Sequence, residues 1–388
     1  MLSSRINRIN ESLTMAMTQK AREFKAQGKD VLSFSAGEPD FDTPQVIKDA
    51  AITALNNGAT KYTAVAGIPE LLTAIGNKLK RDNNLTYTND KIVVSNGAKQ
   101  SLFNLLAVLI DAGDEVIIPN PSWVSYPEMV RYYDGKPVFI QTDESTNFKL
   151  MPQALKSAIT NKTKILMLNS PSNPTGAIYN ADELAALGKV LEGTDILIFS
   201  DEMYEKLVYD NVKFVATASV NEDLYKRTIT INGLSKSVAM TGWRMGYFAA
   251  PDASIAKAVT KLQGQSTSNI NAITQHAAIA ALDGLADTTI EEMRQAFEAR
   301  KNFAVEEFNK IDGLSVDNAE GAFYLFVNIE AVEKDSMKFC LELLDKAGIA
   351  TVPGVGFGSD GYFRFSYATD LETIKEGISR IATFVKNY

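Results

Sequence analysis

Histidine and cysteine are almost absent: of 388 residues, one is His and one is Cys. A Ser-His-Asp or Cys-His hydrolase would have to commit the only histidine, His276, to its triad. A zinc site of Cys and His ligands, which needs about three or four of them, cannot be built. Cys340 has no partner for a disulfide within the chain. No stretch approaches the roughly 20 apolar residues that span a bilayer. There is no basic block, and the formal net charge is −8, from 39 Lys+Arg and 47 Asp+Glu. That balance argues against a general nucleic-acid or anionic-membrane binder, but not against a small anion held by a few placed cations. What remains is chemistry run by Lys, Asp/Glu, Tyr, Ser/Thr or a borrowed cofactor.

What is there reads as an ordinary globular chain, 45% hydrophobic and 22% charged. Its length suggests two or three domains by the loose rule of about 100–200 residues each. Residues 1–20 mix Arg5, Arg8 and Glu11 with scattered apolar residues and offer no apolar core of a signal peptide. The expected compartment is the cytoplasm, where the Asn84 and Asn161 sequons are irrelevant.

Strand alternates with helix along the first 250 residues. Short apolar runs at 91–95, 114–118, 136–141, 163–168, 195–200, 227–231 and 245–249 read as strands, with helices at 98–110, near 126–133 and at 181–191. Apolar runs without alternation suit strands buried on both faces. The pattern predicts an α/β fold with a mostly parallel, doubly wound sheet. Beyond Ala250 helical periodicity dominates from 254 to 309, with a break near "QSTSN". Strands at 322–328 and 362–367 and helices at 336–346 and 371–387 then read as a smaller α/β domain. The N-terminal forty residues do not begin the sheet and are expected to pack with that domain.

Gly356, Gly358 and Gly361 spell G-x-G-x-x-G. A dinucleotide fingerprint needs a helix after it, and here "YFRFSYA" alternates like a strand. Glycines in a loop between two strands are the better account.

The informative segment is "NGLSKSVAMTGWRMGY", Asn232–Tyr247. Lys236 in its Ser-Lys-Ser loop reads, by composition alone, as a solvated surface lysine. Its place just beyond a buried strand is where open α/β sheets bind ligands. Ser235, Ser237 and Arg244 are nearby donors for a phosphate, and few other nucleophiles are available. A Schiff-base lysine must be neutral part of the time, which burial and nearby cations arrange by lowering its pKa. Other strand ends offer Asn173, which could also cap a turn, and Asp201 with Tyr204, where Asp201 could also cap a helix. Gly97, Ala98 and Lys99 stand at a helix N-terminus, a ready anion site.

These segments resemble the class I pyridoxal-phosphate (PLP) aminotransferases of fold type I, and within them the bacterial aspartate aminotransferase branch. The likeness runs from "SAGEPDFDTP" through "KYTAVAGIPELL", "NPSWVSYPEMV", "NSPSNPTGAIY", "SDEMYE" and "SKSVAMTGWRMGY" to "RFSYA". It implies a large PLP-binding domain over 45–285 around a mostly parallel seven-stranded sheet. The small domain is implied to combine 1–44 with 286–388.

By the same resemblance, Lys236 is the Schiff-base lysine and proton shuttle, and Asp201 the carboxylate on the pyridine nitrogen. Asn173 and Tyr204 bond the ring's 3′-oxygen, and Trp123 stacks on the ring, although a lone Trp in a loop also reads as core. Gly97, Ala98, Ser235 and Arg244 form the phosphate cradle, which Tyr62 reaches from the neighbouring subunit of a homodimer. Arg364 and the Gly37 backbone grip the substrate α-carboxylate. Lys99 meets the distal carboxylate, or is a solvated lysine at a helix start.

The implied reaction is L-aspartate with 2-oxoglutarate, by a ping-pong mechanism. Aromatic or broad-specificity transamination and a PLP β-lyase are the competing outcomes on the same fold. A non-catalytic PLP-binding sensor would need a fused DNA-binding domain, of which the first forty residues carry no sign. Relatives that also transaminate prephenate carry a basic residue in the N-terminal segment. An ungapped alignment puts Asn10 there, against prephenate. His276 and Cys340 match no functional position and are expected to be packing residues.

Overall fold

The computed structural model describes residues 2–388. After a short 3-10 turn at Ser4–Arg8, the chain forms a helix, Leu13–Ala26, and a two-residue strand β1, Leu32–Ser33. Helices Gln45–Asn56 and Pro69–Asn83 follow, neither of which the apolar patterning had marked. Pro69 at the first helical position was a usable start signal.

Seven strands then build the main sheet: β2 Ile92–Ser95, β3 Glu115–Asn120, β4 Lys136–Gln141, β5 Thr163–Asn169, β6 Leu197–Asp201, β7 Thr228–Gly233 and β8 Gly246–Ala249. Their order is β2-β8-β7-β6-β5-β3-β4, and only β8 runs against the rest. The expected mostly parallel seven-stranded sheet is therefore present.

Two separate cores explain the apolar runs. On β5, Leu166 and Leu168 pack with Leu184, Leu187 and Leu191 of helix Ala181–Leu191, while Ile165 and Met167 feed the opposite core. Alternate residues thus enter two apolar layers, so neither side of the strand needs to be polar.

The C-terminal part adds β9 Tyr324–Asn328, β10 Ile349–Ala350, β11 Val352–Pro353 and β12 Tyr362–Ser366. β11, β12 and β9 form a three-stranded antiparallel sheet. β1 pairs in parallel with β10, Leu32 opposite Ile349, while Asn10 N donates to Glu128 Oε2 at 2.7 Å and Arg8 pairs with Asp134, both beside the main sheet. Gly356, Gly358 and Gly361 lie between β11 and β12, in a turn and loop with no helix after them.

The helical stretch after Ala250 breaks twice rather than once. Helices Ala253–Ser266, Ala272–Leu282 and Asp287–Phe308 are separated at 267–271 and again at 283–286, where Gly284 takes φ +85°. Cys340 is fully buried, as expected. His276 is exposed, contrary to the expected packing role. It points away from the side of its helix that buries Thr274, Gln275, Ala277 and Ala278.

Candidate active site

The parallel strands end at one rim, and β8 begins there. Gly246 on β8 sits opposite Ser95 of β2 on one side and Gly233 of β7 on the other. Arg244 immediately precedes β8, with φ +57°. Residues following β2, β3, β5, β6 and β7 line one cavity of about 300 Å3.

Lys236 reaches this cavity from the loop that leaves β7. Leu234 closes the loop at its base, donating to Met245 O at 3.3 Å and accepting from Met240 N at 3.3 Å. The Lys236 ammonium donates to Gly37 O, whose segment follows β1. Burial, then the nearby Arg364, lowers the Lys236 pKa to about 8.

Asp201 closes β6 and is buried. Its carbonyl accepts from Asn169 Nδ2 at 2.9 Å and Ser170 N at 3.2 Å, which fixes the strand end. Its carboxyl accepts from Tyr126 Oη at 2.7 Å and, weakly, from Met203 N at 3.3 Å. Burial raises its pKa to about 6, against the bond from Tyr126. Tyr204 Oη and Tyr324 Oη share a hydrogen bond at 2.9 Å.

Asn173 is held by its own N–H, which donates to Asn169 Oδ1 at 2.8 Å. Its side-chain carbonyl accepts from Arg364 Nη1 at 3.0 Å, leaving the amide NH2 free to donate. Arg364, buried on β12, also donates through Nη2 to Ser35 O at 2.8 Å. Its guanidinium lies 4.3 Å from the Tyr324 ring centre, and its buried Nε has no protein partner. Burial lowers its pKa.

Trp123 stands edge-to-face with Tyr126, ring centres 5.2 Å apart, and the Lys99 ammonium lies 4.8 Å from the Trp123 ring centre. Burial and Arg244 lower the Lys99 pKa. Gly97 takes φ +82°, and a Cβ there would fall 2.4 Å from Arg244 Nη2. The Arg244 guanidinium therefore lies against the start of helix Ala98–Leu109, donating to Asn96 O at 3.2 Å and Thr241 O at 3.0 Å, and buried Ser235 lines the same cavity.

Gly37, Ala98, Lys99, Trp123, Asn173, Asp201, Tyr204, Ser235, Lys236, Arg244 and Arg364 all line the cavity, and Gly97 backs it. Two expected residues stand apart. Ser237 faces a small cavity behind the loop, with Glu205 and Tyr247, because the chain turns at 235–238 and carries its side chain away from Lys236. Tyr62 is 92% exposed and does not reach the cavity of its own chain. Sequence reasoning missed Tyr126, Tyr324, Asn169 and the Ser35 carbonyl. Tyr126 stood three residues after Trp123 in the quoted motif and could have been found there.

The donor set fits PLP. A buried carboxyl faces the cavity with an oxygen that is only weakly bonded, an indole forms a wall, and a lysine of lowered pKa lies within reach. A helix N-terminus with an arginine and a buried serine suits a phosphate. A second arginine carries an unpartnered buried N–H suited to a further anion.

This fold and donor set define a PLP-dependent aminotransferase. A model of the aminotransferase class I and II family matches residues 29–381, and the chain belongs to that family. It is 49% identical over 392 residues to the aspartate aminotransferase of Bacillus subtilis, covering 100% of this chain and 99% of that protein. It is 47% identical over 396 residues to the aspartate/prephenate aminotransferase of Nitrosomonas europaea, covering 99% of each. The structure of Thermus thermophilus aspartate aminotransferase with maleate superposes with a TM-score of 0.95 at 39% identity, covering 99% of both chains. No helix among the described residues is long and apolar enough to cross a membrane.

Proposed function

We propose that this enzyme transaminates L-aspartate with 2-oxoglutarate, giving oxaloacetate and L-glutamate by a ping-pong mechanism on Lys236. The observation that carries the reading is the convergence of Lys236, Asp201 and the doubly anchored Arg364 on one cavity. PLP, when bound, supplies the electron sink that stabilises a carbanion at the amino acid's Cα.

The protein's part is to hold and move protons. Asp201, ionised and held by Tyr126, would keep a proton on the ring nitrogen. Asn173 Nδ2 and Tyr204 Oη would bond the 3′-oxygen. Ser235, Arg244 and the Ala98 N–H would hold the phosphate, with Gly97, whose own N–H donates to Ser95 O at 2.7 Å, letting Arg244 approach, and Trp123 would cover the ring. Lys236, neutral for part of the time near pH 8, would take the Cα proton of the bound amino acid and pass it on within the site. Arg364 grips the α-carboxylate through its planar fork, helped by the Gly37 backbone. Lys99, beside Trp123 in the same cavity, meets the distal carboxylate.

Homodimerisation belongs to the same reading: Tyr62, exposed here, reaches the phosphate of the neighbouring subunit. So does the division into a large domain over 45–285 and a small domain of 1–44 with 286–388, which the β1–β10 pairing supports. The cytoplasm is the proposed compartment, in keeping with the free thiol of Cys340. Prephenate is outside the proposal. Asn10 offers no positive charge, and its side-chain amide donates to Glu128 Oε1 at 3.4 Å. A panel of amino donors against 2-oxoglutarate tests the specificity. Aspartate should exceed phenylalanine and cystathionine in kcat/KM; a faster aromatic donor would replace the aspartate reading.

A further inference from the structure

Two acidic residues stand side by side at the end of β6, and only Asp201 faces the cavity. Glu202 turns to the opposite side of the sheet, where it is 1% exposed. Its Oε1 accepts from Ser200 Oγ at 2.8 Å and from Thr217 N at 3.1 Å. Its Oε2 is buried without a protein partner.

The groups facing it come from several elements. Glu205 follows in the same turn, Lys78 projects from helix Pro69–Asn83, Tyr87 precedes β2, and Tyr247 lies on β8. Lys78 is already committed to Glu205 and to Asn83 Oδ1, at 2.8 Å from the latter. The remaining oxygen of Glu205 takes Asn83 Nδ2 at 2.8 Å. Lys206 pairs with Asp82 at 2.8 Å. No ion pair reaches Glu202 among the described residues.

A buried carboxylate without a cation takes up a proton instead. Thr230 pairs with Ser200 across β6 and β7, so both side chains share the face on which Glu202 lies. Thr230 Oγ1 and Tyr87 Oη are themselves buried without protein partners.

We propose that Glu202 is held as the neutral acid and is a positioning residue, fixing from behind the sheet the turn that presents Asp201 and Tyr204. Its Oε1 ties β6 to the Thr217 turn, and neither a cation nor a donor holds its other oxygen as an anion. Burial, followed by the neighbouring Glu205, pushes the Glu202 pKa up to about 8, in keeping with this state. A neutral neighbour also leaves Asp201 free of an adjacent like charge that would disfavour its ionisation. The consequence for the cofactor rests on Asp201 holding the ring nitrogen; the protonation state of Glu202 does not.

Difference infrared spectra of wild-type and Glu202→Gln holoenzymes at pH 7 test the protonation state directly. The wild type should show a protonated-carboxyl stretching band that the variant lacks; absence of that band overturns the proposal. Cofactor dissociation constants, read from the visible absorption of bound PLP, test the positioning. Gln keeps both the acceptor and a donor, so Glu202→Gln should bind within about threefold of wild type. Glu202→Ala, which strands Ser200 and Thr217 N, should bind about tenfold more weakly or worse. A Gln variant as weak as Ala would mean that the charge is needed. An Ala variant as tight as wild type would mean that nothing is positioned. Either result overturns the proposal. If PLP were found on a lysine other than Lys236, the reading of the site would fail while the infrared result still decided the state of Glu202.

Discussion

Lys236 and Asp201 are opposite cases of the same force. Burial favours the neutral form of each, so the amine falls to about 8 and the carboxyl rises to about 6. The neutral amine is the nucleophile, and its fraction grows as pH rises towards its pKa. Capture of PLP by the apoenzyme should therefore quicken by about tenfold per pH unit below 8 and level off above it. Stopped-flow absorbance across pH 6 to about 11 checks this; a rate still rising at pH 9 and breaking only near the ordinary lysine value of about 10.4 would contradict it. At Asp201 the Tyr126 hydroxyl works against burial by stabilising the anion. Tyr126→Phe removes a hydrogen bond to a charged group, worth about 1.5–3 kcal/mol. PLP affinity should drop by at least tenfold, and the visible band of the holoenzyme should titrate at a shifted pH.

The elements owe their positions to close backbone approach as much as to apolar burial. A Cβ on Gly246 would lie 2.1 Å from Ala98 N, so β8 can meet the start of helix Ala98–Leu109 only as glycine. Gly246→Ala should displace that helix start and destabilise the fold by on the order of 1–3 kcal/mol. Melting temperature and PLP affinity should fall together; a variant that loses neither would show that the approach is not needed. Contacts of this kind mark the limit of what the residues revealed beforehand. The β5 and β6 runs were legible because both faces are buried, and helix Ala181–Leu191 because its apolar residues recur at helical spacing. Helix Pro69–Asn83 carries the same spacing in Leu71, Leu72, Ile75 and Leu79 and was legible but unmarked, whereas Gln45–Asn56 buries only Ile47, Ala51 and Ala54. At the site, Lys236, Asp201 and Asn173 were legible as polar residues just past apolar strands. Tyr324 and the Ser35 carbonyl were not, because their roles arise from pairing across β9, β12 and the N-terminal segment. Ser237 misled because its neighbour Ser235 has the same chemistry on the other side of the loop.

At the scale of the molecule, a chain with almost no histidine or cysteine gathers its chemistry into one cleft between the main sheet and the C-terminal elements. Tyr62 is the proposed site residue that one chain cannot supply to itself. The account expects a particle of twice the chain mass in sedimentation equilibrium. Mixing Lys236→Ala with Tyr62→Ala protein should produce hybrids that hold one intact site and recover activity above either parent. Recovery no greater than the sum of the parents would place Tyr62 outside the site. The central claim is that Lys236, and no other lysine, carries the cofactor. Lys99 is a real competitor, since it lines the same cavity and its pKa is also lowered. Borohydride reduction of the yellow holoenzyme, followed by peptide mass mapping, decides between them. The account predicts the reduced cofactor on the peptide containing Lys236; the cofactor on Lys99, on another lysine, or on none would contradict it.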